Sequence, residues 1–181
     1  MKGFNNYTER EEFSIFKKFF LDHGRCKEMK KKEYFAEQGI VTTHAAYVDK
    51  GMFRYVCTDE NGCEHIVGYA FAGEYVGDYP QCIKTEKAIV SIQSTTDSLI
   101  YYASAQEITN FFSTDKSTQE LEKSLAEELF VQTYKRLLDI YCKTPTEHYV
   151  DLVRRYPDFL NYITLREIAS FLRVAPETIT H

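Results

Sequence analysis

Phe53-Arg-Tyr-Val-Cys-Thr58, Asp59-Glu-Asn-Gly62 and Glu64-His-Ile-Val-Gly-Tyr69 form one continuous unit, and its reading decides the fold class. The outer runs are β-branched and aromatic, while the piece between them is short, polar and ends in glycine. This is the pattern of two strands joined by a hairpin turn. Further on, Ile89-Val-Ser-Ile-Gln-Ser94 and Ser98-Leu-Ile-Tyr-Tyr102 flank Thr95-Thr-Asp97 in the same manner. Turn signals at Gly39, Lys50-Gly51, Gly62, Gly73 and Gly77 space out a series of short strands, which predicts an antiparallel jelly-roll β-barrel.

On either side of this region the periodicity becomes helical. A Ser or Thr followed three residues later by Glu can close a capping box, in which each side chain satisfies one orphan backbone N–H. Such pairs occur at Thr8/Glu11, Ser104/Glu107, Ser117/Glu120, Thr144/Glu147 and Thr164/Glu167. Pro145 adds a first-turn proline to the fourth. They predict helices over about 8–23, 104–113, 118–142, 145–156 and 164–172. Helices before and after the strands, with none between, make the class α+β.

The 118–142 helix is about 37 Å long. Its apolar positions (Leu121, Leu125, Leu129, Phe130, Tyr134, Leu137, Leu138, Tyr141) widen into more than one face. One reading has the helix pack on its own barrel with one face and on a second copy with the other, Leu121, Leu125 and Leu129 forming the dimer interface. The other makes it a core helix of a single chain.

Composition narrows the function classes. With 44% hydrophobic and 27% charged residues the chain is globular. No apolar stretch approaches a membrane span, and the acidic start, MKGFNNYTEREEF, lacks a signal core. Cys26, Cys57, Cys63, Cys82 and Cys142 are odd in number and include no CxxC pair, so reduced thiols and a cytoplasmic setting are expected. The net charge is −5, and Pro145–His181 sets Arg154, Arg155, Arg166 and Arg173 against five acids, a poor phosphate-binding surface.

The order of helix, small β-barrel, long helix and terminal helix pair resembles the Crp–Fnr (catabolite activator-like) regulators. Tyr47-Val-Asp-Lys-Gly-Met-Phe-Arg54 is similar to that family's strand, Lys-Gly turn and strand. Asn61-Gly-Cys-Glu64, running on to Gly73-Glu-Tyr-Val-Gly-Asp78, resembles its hairpin and phosphate-binding cassette. Arg166-Glu-Ile-Ala-Ser-Phe-Leu172 followed by Pro176-Glu-Thr-Ile-Thr180 resembles its helix-turn-helix. The resemblance spans residues 8 to 181 and implies three parts: a cyclic nucleotide-binding-like sensor (1–116), a dimerisation helix (117–143) and an incomplete, winged-helix-type DNA-binding domain (144–181).

In cassettes of this kind, glycines let backbone N–H groups approach a cyclic phosphate, an acid holds the ribose hydroxyl, and an arginine pairs with the phosphate. Gly73 and Gly77 match, though both could equally serve tight turns, and Asp78 stands where Glu is usual. The arginine is absent. Lys84 and Lys87 are the nearest cations, and a lysine supplies a point charge without a bidentate fork. The resemblance therefore implies a ligand pocket at Gly73, Gly77, Asp78, Lys84 and Lys87, with cyclic AMP not expected in it. Tyr69, Phe71, Tyr75 and Tyr79 favour an uncharged or apolar effector.

In the terminal helix pair, Ile163, Ile168, Leu172 and Ile179 supply the apolar contacts, Ala169 the crossing point, and Arg173 occupies the turn where Gly is usual. Glu177, Thr178 and His181 would face a major groove. A recognition helix needs two to three turns, so the chain is expected to continue past His181.

The expected function is a DNA-binding transcription regulator, a homodimer on a pseudo-palindromic site, with no membrane association, metal or cofactor and no enzymatic activity. The alternative is a ligand-sensing or structural dimer module without DNA binding. A jelly-roll metalloenzyme would need clustered histidines, and His44 and His65 stand alone. An iron–sulfur sensor would need clustered N-terminal cysteines.

Overall fold

The computed structural model describes residue 5 and residues 10–155 and 157–178. The capping position expected at Thr8 and the second-helix residues Ile179, Thr180 and His181 lie outside the described residues. A 3₁₀ turn, Glu11–Phe13, leads into α1 (Ser14–His23), which buries Phe16, Phe19 and Phe20 at the three-and-four spacing of an amphipathic helix.

Eight strands follow: β1 (Arg25–Met29), β2 (Tyr34–Ala36), β3 (His44–Lys50), β4 (Met52–Thr58), β5 (Glu64–Phe71), β6 (Tyr75–Val76), β7 (Ser91–Ser94) and β8 (Ser98–Ser104). They form two antiparallel sheets of four, ordered β1-β8-β3-β6 and β2-β7-β4-β5. Between the sheets lies a core of small and β-branched side chains around Phe53, Ile92, Ile100 and Val48. The β4–β5 hairpin is as expected, with Thr58 opposite Glu64 and a bulge at Tyr55/Val56. Its turn is tied by the Asp59 carboxylate, which accepts the N–H groups of Asn61 and Cys63, each at 2.9 Å. Lys50-Gly51 carries the chain from one sheet to the other. Gly51 has φ +97°, and a Cβ there would collide with Ser98.

Two expectations, the second hairpin and the absence of a helix among the strands, are corrected here, and two strands have no signal to read. Thr95-Thr-Asp97 is no hairpin: β7 pairs with β2 and β4, β8 with β1 and β3, so the segment crosses between sheets. β1 and β2 carry no alternation to read, because β1 is an edge strand exposed at four of its five positions. A one-turn helix, α2 (Gln81–Lys84), interrupts the strands, too short to leave a periodic signal.

α3 (Ala105–Phe112) begins at the Ser104/Glu107 capping box. α4 (Lys116–Cys142) begins earlier than expected: Asp115 is the cap, its carboxylate accepting Thr118 N–H at 2.9 Å, and the Ser117/Glu120 pair is not used. An ionised acid is the stronger acceptor for an orphan helix N–H. α5 (Pro145–Arg155) and α6 (Leu165–Leu172) follow, joined through a 3₁₀ turn over Pro157–Asn161. The Thr144/Glu147 and Thr164/Glu167 boxes both form.

Two further cores bind helices to sheets. Phe16, Phe20, Ile108, Phe112, Leu121 and Leu125 join α1, α3 and the first half of α4 to β3 and β8. Met52, Ile66 and Tyr69 of β4 and β5 pack against Leu152, Ile168 and Leu172 of α5 and α6.

Candidate functional site

The segment from Gly73 to Asp78 turns from β5 into β6 and then toward α2. Gly73 has φ +93° with open space where a side chain would be, and its N–H donates to Val48 O at 2.8 Å. Here the glycine serves the turn. Gly77 serves a close approach, since a Cβ would stand 3.0 Å from Ala45 Cβ. Its N–H donates to the Tyr55 hydroxyl at 3.4 Å.

Asp78 is only 5% exposed and does not face the cavity described below. Its carboxylate accepts the N–H of Ile89 at 2.6 Å and of Val90 at 3.4 Å, closing the loop that contains α2. Burial pushes its pKa up, and those two N–H groups oppose the shift. Lys84 and Lys87 are exposed and also stand outside the cavity. Of the expected cassette residues Gly73, Gly77, Asp78, Lys84 and Lys87, Gly77 is the one that lines the cavity described next. Both N–H groups reach one oxygen of the carboxylate, Oδ2, and hold it in the loop, while the two lysines keep their ammonium groups in water.

The cavity itself is about 440 Å³ and lies between β5, β6, α2 and α4. Phe16, Tyr75, Ile83, Ile108, Leu125 and Leu129 supply much of its apolar wall. Burial lifts the Tyr55 and Tyr75 hydroxyls above the ordinary phenol range, and Tyr75 donates to Phe13 O at 3.1 Å.

Two residues that the sequence did not single out, Glu74 and Arg136, both meet Asn5, and of the two Arg136 lines the cavity. Glu74 is 0% exposed and accepts Asn5 N at 2.6 Å, Asn5 Nδ2 at 3.0 Å and Phe71 N at 2.9 Å. Burial pushes it up to about 7 against those hydrogen bonds. Arg136 of α4 donates from Nη2 to Asn5 Oδ1 at 2.9 Å. An acid inside the apolar run Gly73-Glu-Tyr-Val-Gly77 was a visible signal for Glu74. Nothing local marked Arg136, which meets the cassette only through folding.

The C-terminal helices also dock on β5, where Tyr69 of the cavity wall meets Phe171 of α6. Arg54 Nη1 meets Glu167 Oε1 at 3.1 Å while its Nε and Nη2 donate to Gln93 Oε1, and Ile66 N donates to Ser170 Oγ at 3.0 Å. Arg173 ends α6 in the left-handed conformation, φ 59° and ψ 41°, as the turn demands despite its side chain. Ile163, Ile168, Ala169 and Leu172 are buried, and Glu177 and Thr178 are exposed on a 3₁₀ turn, Pro176–Thr178. A second cavity of about 480 Å³ lies between β5, the end of α4, α5 and α6. On its wall Lys143 bridges Asp139 at 3.0 Å and Asp151 at 2.9 Å.

The expected dimer interface is also corrected. Leu121 and Leu125 are buried in the core of their own chain, with Leu129 packed beside them. The exposed apolar side chains of α4 are Phe130, Val131, Tyr134, Leu137, Leu138, Ile140 and Tyr141, the last at 80%.

Comparison with known proteins bears on this arrangement directly. Residues 26–115 match the cyclic nucleotide-binding domain family. Around those residues, the whole fold is similar to solved Crp–Fnr regulators. FixK2 from Bradyrhizobium japonicum is 16% identical at TM-score 0.70, covering 87% of this chain and 81% of its own. The c-di-GMP-responsive global regulator CLP of Xanthomonas campestris is 17% identical at TM-score 0.66, covering 92% and 88%. A CooA variant from Carboxydothermus hydrogenoformans is 17% identical at TM-score 0.67, covering 96% and 79%. These likenesses are of fold. No curated protein matches the sequence. Among the described residues, no helix is long and apolar enough to cross a membrane.

Proposed function

We propose that this chain is a one-component transcription regulator of the Crp–Fnr type. The two-sheet body, read as a jelly-roll sensor over 1–116, takes a small effector into the cavity under α4. The dimerisation helix over 117–143 pairs with that of a second copy. Residues 144–181 act as a helix-turn-helix on pseudo-palindromic double-stranded DNA, in the cytoplasm.

The observation that carries this reading is α4. It walls the cavity with Leu125, Leu129 and Arg136. It exposes Phe130, Tyr134, Leu137 and Tyr141, whose alternating four-and-three spacing is that of a coiled-coil seam. It then leads through Lys143 into α5. Effector occupancy, pairing and the orientation of the DNA-binding helices would all act on this one helix.

A second reading, a sensing dimer module without DNA binding, is favoured by the poor charge of the last segment and by Glu177 on its exposed turn. Selection of bound sequences from a random duplex pool separates the two. The regulator reading expects enrichment of a two-fold-symmetric site with half-sites about one helical turn apart, and affinity that falls steeply with salt. Dimers that enrich no sequence, with or without the chain extended past His181, would leave the second reading standing.

A further inference from the structure

One stretch of the cavity wall under α4 is built from neutral hydrogen-bond donors. Gly77 lines the cavity, and having no side chain it does so with its backbone. Its N–H donates to the Tyr55 hydroxyl at 3.4 Å, which puts that oxygen at the same wall. The hydroxyl is the acceptor in that bond, and among the described residues nothing accepts its own proton. The Tyr55 ring packs on the core between the sheets, so β4 holds the hydroxyl in place. Cys82, 1% exposed, belongs to this stretch too, its Sγ 3.8 Å from the point where a Gly77 Cβ would stand.

Resting on the reading of this cavity as the effector site, we propose that its ligand is an uncharged, apolar-bodied carbonyl compound (a ketone, ester or lactone) whose oxygen accepts the Tyr55 hydroxyl proton. The apolar body fills the space among Phe16, Ile83, Ile108, Phe112 and Leu129. The volume, about 440 Å³, is that of a small-molecule site. A buried hydroxyl whose proton has no acceptor leaves a hydrogen bond unmade, and a carbonyl oxygen completes it. An alcohol oxygen would accept as well, but it brings a proton that must find its own acceptor beside a wall of donors. A cation would meet those donors with the wrong sign.

This stretch of wall also resists negative charge. Tyr55 and Cys82 would each become an anion on losing a proton, and the fold keeps both protonated. Burial lifts the Tyr55 phenol above its ordinary range; the Gly77 N–H opposes that, Glu74 and Asp78 add to it, and Arg136, which also lines the cavity, opposes it least. Burial pushes the Cys82 thiol up to about 11, and Asp78 adds to the shift. A carboxylate or cyclic phosphate with an oxygen at Tyr55 would meet the same burial and the same acids. A carbonyl oxygen brings no net charge and escapes both.

Calorimetric titration of the full chain at neutral pH tests this with benzylacetone, butylbenzene (the same carbon skeleton without the oxygen), phenylbutyrate and cyclic AMP. Tyr55→Phe should weaken benzylacetone roughly three- to tenfold and leave butylbenzene unchanged. Phenylbutyrate and cyclic AMP should bind more weakly than benzylacetone. In the unaltered protein the infrared carbonyl stretch of bound benzylacetone should lie below its position in an alkane solvent, and Tyr55→Phe should return it there. Ala126→Trp fills the cavity from α4 and should abolish binding of both uncharged probes, with circular dichroism confirming that each variant is folded. Equal losses for benzylacetone and butylbenzene in Tyr55→Phe, no loss for either, or an unshifted stretch overturns the carbonyl assignment and leaves the effector cavity in place. So does phenylbutyrate or cyclic AMP binding more tightly than benzylacetone. Absence of binding by every probe, or binding that survives Ala126→Trp, overturns the cavity reading as well.

Discussion

Leu125 and Tyr141 lie on one helix and are both apolar, yet Leu125 is buried in the body of its own chain and Tyr141 is 80% exposed. The first half of α4 is held by α1 and α3, whose Phe16, Phe19 and Phe112 close over it. In the second half Gln132 is buried and Arg136 reaches Asn5, while the apolar side chains from Phe130 to Tyr141 are exposed. Two stretches with the same hydrophobic period therefore have different roles. A period specifies that a face is apolar; the surface that covers it comes from the rest of the fold.

The sharpest way to break this comparison is to place the same charge in both halves. Leu125→Glu buries an unpaired carboxylate and should cost roughly 3–5 kcal/mol, read as a large fall in the urea midpoint. Tyr141→Glu meets water and should leave the midpoint of the isolated chain nearly unchanged. Equal losses would show that the second half is as well covered as the first.

A smaller effect is expected where the second half touches the body through Asn5. Glu74 has a folded pKa of about 7 against an ordinary value of 4.5. The folded state holds the proton more tightly, so the stability it adds is fully present below about pH 4.5 and lost as pH rises to about 7. Glu74→Gln should flatten that slope, whose full height is on the order of 3 kcal/mol. Chemical denaturation across that range measures it. A wild-type stability that rises through the window would reverse the sign and refute the assignment.

Pairing concerns the exposed half alone. Tyr134→Glu together with Tyr141→Glu should shift sedimentation to a monomer while the strand signal in circular dichroism persists. The original seam, Leu121 and Leu125, should fail differently, by unfolding. A protein that already sediments as a monomer at tens of micromolar would remove the seam altogether.

The smallest effect lies at the docked C-terminal helices. Arg54→Ala removes the ion pair to Glu167 and two hydrogen bonds to Gln93, at a cost of about 1 kcal/mol because the pair is partly solvated. Hydrogen exchange should rise first in α5 and α6, with β3 and β8 unchanged. Uniform loosening would show that the docking is not local.

Much of the fold was legible because its signals are local. The β4–β5 hairpin, the capping boxes at Ser104, Thr144 and Thr164, the left-handed strain at Arg173 and the two-faced character of α4 each depend on residues within a turn or two of one another. The cassette was legible as a turn for the same reason. Long-range partners were not legible. Asp78 reads as an acid without a partner until the N–H groups of Ile89 and Val90 return to one of its oxygens. Lys84 and Lys87 read as substitutes for an arginine until the fold leaves them in water. Arg136 reads as a solvated helix charge until α4 lays it against Asn5, far back at the start of the chain. The sequence by itself determined the longer helices, the β4–β5 hairpin and which of their faces are apolar, because steric preference and periodicity act between near neighbours. Only the tertiary structure decided which apolar face is covered and which charge enters the cavity, because burial and pairing depend on surfaces that meet only when distant segments fold together.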